Sequence, residues 1–199
     1  MNFVVLSSSR GTTFQAVLDA QRRGELKAKC LGLVTDRPDR PCIEKAKAAN
    51  LPFKIVPMTK GESREDFDRC VHEAILALGA DKETVIAAMG WMFIFSAWFI
   101  ATWKNRIINV HPALLPKHGG KGMYGHHVHD AVLAAKEKES GVSIHLMDEG
   151  VDTGKILLQK TCPVLPDDTP ESLQKRVQEL EKEWYPRVLQ MIESGELKL

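Results

Sequence analysis

Two hydrophobic rhythms alternate along the chain. Short apolar runs bounded by polar or turn-forming residues occupy positions 2–6, 30–35, 53–56, 84–88 and 107–109 and read as buried strands. Between them, apolar residues recur at helical spacing over 14–20 and over 41–50. Ser63-Arg64-Glu65-Asp66 is a capping-box-like start with an acidic first turn; Phe67, Val71, Ala74, Ile75 and Leu78 form the stripe that Gly79 ends. A short helix is expected over 96–103 and a longer one over 128–138. Strict alternation predicts a strand over 141–147, with Val142, Ile144 and Leu146 on one face and Ser143 and His145 on the other. A second strand over 155–164 is expected to pair with it as an antiparallel hairpin. The last helix starts at Thr169-Pro170, turns Leu173, Val177, Leu180, Trp184, Val188 and Ile192 inward, and stops at Gly195.

Strand, loop and helix in repetition predict an α/β fold with a mostly parallel sheet. No repeat, low-complexity tract or linker interrupts residues 1–199, so one domain is expected. A formal net charge of +1 leaves no basic footprint, so no nucleic-acid partner is expected. The four cysteines are scattered, a pattern of buried free thiols rather than of a disulfide framework. The apolar run over 85–100 is broken by Gly90 and Ser96 and is too short to span a bilayer. The N-terminal MNFVVLSSSR runs straight into a strand without a cationic leader, so a cytoplasmic protein without a membrane partner is expected.

The chemistry gathers where the fifth strand ends, in Asn109-Val110-His111-Pro112. Two residues apart in extended chain, Asn109 and His111 leave on the same side, and Pro112 forbids helix at His111. Ligands bind at such strand tips in open α/β sheets. Asn109 can donate its amide to a developing oxyanion, and His111 can carry a proton near neutral pH. Asp152, in the acidic turn Asp148-Glu149-Gly150-Val151-Asp152-Thr153-Gly154, is the candidate carboxylate that raises the pKa of His111. No Ser or Cys nucleophile is adjacent in sequence, which favours direct transfer of a carbonyl group to an amine.

Other stretches leave two readings open. Gly11 permits a tight turn and Thr12 or Thr13 can cap the helix after it, a phosphate cradle or a plain small-residue loop. Arg64 opposes the dipole of its helix and calls for a partner carboxylate, or is a solvated arginine. Met89-Gly90-Trp91-Met92-Phe93-Ile94-Phe95 either packs the core or lines an apolar slot for a flat aromatic ligand. Four glycines between Lys117 and Gly125 mark a loop suited to be a lid. His126, His127 and His129 invite a metal, which is set aside because no Cys, Asp or Glu is seen to complete a close-spaced set.

Asn109-x-His111-Pro112-x-Leu114-Leu115-Pro116, followed by Asp152-x-Gly154, resembles the folate-dependent formyltransferases, and within them the phosphoribosylglycinamide branch. The resemblance implies a Rossmann-like formyltransferase fold, with helices on both faces of the sheet and an antiparallel C-terminal strand. It implies 10-formyltetrahydrofolate as co-substrate and 5-phosphoribosylglycinamide as acceptor; no metal and a monomer or homodimer are expected. Asn109, His111 and Asp152 match the family's catalytic residues. Gly11, Thr12 and Thr13 match its phosphate site, and Gln178 and Glu181 align with residues that touch the ribonucleotide. Arg64, Met92, Phe93, Ile94 and Phe95, with Asn109, match positions that contact folate. The chain departs from the family pattern at Ser9-Arg10, at Phe93 and over Gly119-Gly120-Lys121-Gly122. Three alternatives compete with this reading. A nicotinamide dehydrogenase lacks its G-x-G-x-x-G here, with a single glycine in the first loop. A formyltransferase for an amino-sugar nucleotide keeps the fold and swaps the acceptor, and a binding module keeps the cleft without turnover.

Overall fold

The computed structural model describes residues 1–199. Its elements run β1 (Asn2–Leu6), α1 (Thr12–Arg22), β2 (Lys29–Thr35), α2 (Cys42–Ala48), β3 (Phe53–Ile55), α3 (Arg64–Ala77), β4 (Val85–Ala88), α4 (Ala97–Thr102), β5 (Ile107–His111), α5 (His126–Ala134), β6 (Glu139–Leu146), β7 (Ile156–Pro163) and α6 (Pro170–Ser194). One seven-stranded sheet has the order β3-β2-β1-β4-β5-β6-β7. The pairings from β3 through β5 are parallel. β6 runs against both β5 and β7, so it is the reversed strand and β7 returns to the common direction.

The pleat divides the core into two layers. Phe3 and Val5 of β1 join α1, α2 and α6 through Phe14, Val17, Ile43, Tyr185 and Leu189. Val4 and Leu6 point the other way and join α3 and α4 through Phe67, Val71, Ile75 and Phe99. The central strands are therefore apolar on both faces over most of their length, as doubly covered parallel strands must be, and turn polar in β5 only at Asn109 and His111. Chain order reverses between β1 and β4, which opens a crevice at the carboxyl ends of β1, β4 and β5.

Local signals set the helix ends. Ser63 accepts the Asp66 N–H and heads α3, while Thr169 and Ser172 form a reciprocal capping box ahead of α6. Gly195 closes α6 in the left-handed conformation. Several boundaries differ from expectation: α5 starts at His126 rather than Val128, β5 runs on to His111, and β6 starts at Glu139. α5 stops at Ala134, because the chain turns through Lys136 at φ 53 and β6 takes over from Glu139. The cap of α1 is Gly11 at φ 70, with no side-chain cap bond, so neither Thr12 nor Thr13 caps it. The cysteines are free; Cys30, Cys42 and Cys162 are buried as expected, but Cys70 is exposed. No helix is long and apolar enough to cross a membrane.

Candidate active site

A cleft of about 750 Å³ lies over the crevice. Its lining includes Thr12 and Thr13 from α1, Met92 through Phe95 from the β4–α4 loop, Asn109 and His111 from β5, Gly120 through Gly125, Asp152, and Gln178 and Glu181 from α6. Of the residues expected at the site, Gly11 and Arg64 are outside this lining. Gly11 is buried beneath it: a Cβ there would meet Cys42 Cβ at 2.9 Å, so the turn needs glycine for space as well as for φ. Arg64 donates to the main-chain oxygen of Ile94 and braces the apolar loop; the carboxylate partner expected for it does not form an ion pair.

Asn109, His111 and Asp152 do converge. His111 Nδ1 is 3.4 Å from Asp152 Oδ2, and its Nε2–H donates to the His118 carbonyl oxygen at 2.8 Å. Asp152 also accepts the Gly120 N–H at 3.1 Å, tying the acidic turn to the glycine-rich loop. Asp152 itself stands at φ 59, a left-handed conformation unusual outside glycine, asparagine and aspartate.

The charge balance differs from expectation. Burial pushes the pKa of His111 down, and this outweighs the Asp152 carboxylate and the His118 carbonyl, which push it up. Its net shift is below the ordinary value, not above it. The imidazole is 3% exposed, and removing water from a cation outweighs one carboxylate at 3.4 Å that also serves other partners. Burial pushes the carboxyl of Asp152 up, but His145, His111 and the Gly120 N–H together hold it below its ordinary range.

Sequence reasoning missed His145. The antiparallel register sets it opposite Asn109. Its Nδ1–H donates to the Leu146 carbonyl at 2.8 Å, which leaves Nε2 to accept the Asn109 amide at 3.2 Å. Asp152 Oδ1 lies 3.6 Å from that same Nε2, beyond hydrogen-bond length; the Leu146 carbonyl, which can only accept, is what puts the ring proton on Nδ1. The polar face of β6 was legible; its pairing with β5 was not. Ser143, on the same face, accepts the Leu115 N–H at 2.9 Å and donates to the Ala113 oxygen at 2.7 Å, fixing the turn after Pro112. His129 also lines the cleft, buried, and burial pushes its pKa down to about 4.

The apolar loop faces two ways. Trp91 and Phe95 are buried in the second core layer, while Met92 and Ile94 are 48% and 40% exposed. Phe93 tilts against Phe67 at 4.8 Å and Trp91 at 5.3 Å between ring centroids. At the other end of the cleft, the first-turn N–H groups of α1 have no side-chain cap, and the Thr13 hydroxyl donates to Glu181 at 3.1 Å. Burial raises the pKa of Glu181 to about 7. The ground for setting a metal aside is overturned, because Asp130 lies beside His126 and His127.

A switch-point cleft with an amide, an imidazole and a carboxylate at one strand tip fits group transfer to or from a carbonyl, and the chain belongs to the formyl transferase family, whose model matches residues 1–189. It is 31% identical over 199 residues to the phosphoribosylglycinamide formyltransferase of Escherichia coli (strain K12), spanning all of this chain and 90% of that protein. It is 36% identical over 193 residues to the trifunctional purine biosynthetic protein adenosine-3 of Drosophila melanogaster, covering 96% of this chain but only 14% of that protein. The crystal structure of glycinamide ribonucleotide transformylase 1 from Symbiobacterium toebii superposes with a TM-score of 0.91 at 31% identity, covering 100% of this chain and 90% of that one.

Proposed function

We propose that the chain transfers the formyl group of 10-formyltetrahydrofolate to the amine of 5-phosphoribosylglycinamide, a step of purine biosynthesis, as one formyltransferase domain. The observation that carries this is the convergence of Asn109, His111 and Asp152 at one wall of the cleft, with His145 buried behind Asn109, and an uncapped helix start at the other. Family membership and the names of the relatives agree with it. The phosphate sits at the first-turn N–H groups of α1 with Thr12 and Thr13, and Gln178 and Glu181 face the ribose. The folate ring lies along Met92, Phe93, Ile94 and Phe95, braced by Arg64.

The acceptor amine attacks the formyl carbon and the carbonyl electron pair moves to oxygen. Asn109, oriented by His145, donates to that oxyanion. His111, uncharged at neutral pH, takes a proton from the attacking nitrogen and delivers it to the departing folate nitrogen as the old carbon–nitrogen bond breaks. Asp152 steadies the imidazolium that exists in between. For this, Nε2 must leave the His118 carbonyl and the single proton of the neutral ring must sit on Nδ1, toward Asp152, so that Nε2 offers its lone pair; the glycine-rich loop moves when the substrates bind. Formyl transfer measured against 5-phosphoribosylglycinamide and a panel of sugar-nucleotide amines tests the reading. Saturable turnover with the former alone is expected; a preference for a sugar nucleotide overturns the acceptor, and folate binding without any transfer overturns the enzyme.

A further inference from the structure

The first turn of α5 carries donor groups that formyl transfer does not use. His126, His127 and Asp130 are all exposed, and their ligand atoms lie within 4.8 Å of one another. None of the three lines the cleft. Asp130 is one helical turn from His126 and three residues from His127, spacings that put side chains on one face. The two imidazole rings pack with centroids 4.1 Å apart, and neither forms an ion pair with a carboxylate. His127 also meets the Tyr124 ring edge-on at 5.3 Å, and Tyr124 and Gly125 belong to the glycine-rich border of the cleft.

We propose that His126, His127 and Asp130 bind one divalent transition-metal ion of the zinc, cobalt or nickel class, which fixes the start of α5 and steadies the loop leading into it. Two imidazole nitrogens and one carboxylate are the donor mixture such ions take, with water in the remaining positions. Ligands about 2.1 Å from an ion stand up to about 4.2 Å apart, so exposed side chains within 4.8 Å need only a small rotamer adjustment. The helix start opposes a cation with about half a positive charge. The Asp130 carboxylate outweighs this, and Glu171 of the α6 start adds to it: its carboxyl is held below the ordinary range by its own N–H and the Thr169 hydroxyl, and further by His126.

The test uses the untagged, chelator-treated chain and Co²⁺ alone, followed by the visible absorption of the bound ion. One equivalent binds to the wild type. Binding weakens about tenfold or more in Asp130→Asn and is lost in the His126→Asn/His127→Asn double variant. All three are surface substitutions outside the cleft, so thermal denaturation verifies an intact fold. Equal affinity in the wild type and Asp130→Asn, or no absorption in the wild type, overturns the site. Trypsin cleavage after Lys121 reads the second half. Zn²⁺ slows it in the wild type and not in Asp130→Asn; the same rate in both, with the ion bound, overturns the link to the loop.

Discussion

His111 is flanked on both nitrogens: Asp152 stands 3.4 Å from Nδ1, and the main-chain oxygen of His118 takes the Nε2–H at 2.8 Å. An imidazole so placed is oriented before substrate arrives. It is also shielded, and burial keeps its charge off at neutral pH. Activity therefore rises with pH through the His111 pKa, which lies below 6.5, and is level above it. Asp152 pushes that pKa up, so Asp152→Asn moves the acid limb of kcat/KM to lower pH. It also lowers kcat by about two orders of magnitude, since the imidazolium loses its counter-charge. A pH–rate profile of the variant checks both parts.

His145 acts on the reaction through Asn109, and it also stands 3.6 Å from Asp152, whose carboxyl it helps hold low. His145→Ala removes the acceptor at 3.2 Å and frees the carboxamide to rotate. A misaimed donor costs about tenfold to a hundredfold in kcat. Both KM values stay near wild type, because the ring is buried and does not line the cleft. Steady-state kinetics with each substrate varied separates this from a loss of binding.

Glu181 makes a pH-dependent demand on the fold. Its carboxyl has a folded pKa of about 7 against an ordinary 4.5, so between these values the native state holds a proton that the unfolded chain releases. Stability from this group is present below 4.5 and lost as pH rises to about 7. Glu181→Gln keeps a group that can bond Thr13 without the charge. Its melting temperature therefore exceeds that of the wild type at pH 8.5 and matches it near pH 5, while the KM for the ribonucleotide rises. Melting curves at the two pH values decide the point.

Tyr185 ties α6 to the strands beneath the site. Its buried hydroxyl lies 3.1 Å from the Ile108 oxygen and 3.3 Å from the Ala88 oxygen, just before Asn109. Tyr185→Phe removes this link at a cost of about 1 kcal/mol. Urea denaturation detects the loss, and kcat changes little, since the register of β5 is held by β4 and β6 as well.

Much of the fold was legible because two periodicities separate cleanly and caps such as Ser63 and Thr169 are local chemistry. The strand tip at Asn109 and His111 was legible for the same reason: Pro112 ends the strand where they stand. Asp152, far along the chain, was a candidate from its acidic turn and from what a carboxylate does to an imidazole; no spacing rule brought it to His111, and family resemblance strengthened the pairing. His145 was out of reach, because its role depends on the β5–β6 register, a tertiary fact. The charge of His111 was misjudged because a sequence shows its neighbouring carboxylate but not the burial that outweighs it. Asp130 was overlooked although it lies one turn from His126, because the helix start was not yet fixed.

Rapid-mixing formyl transfer from 10-formyltetrahydrofolate to 5-phosphoribosylglycinamide, with enzyme in excess, reads the bond-making step at the strand tip itself. His111→Ala, folded and with both substrates bound, slows that single turnover by about a hundredfold or more. A single turnover in His111→Ala as fast as in the wild type contradicts the assignment.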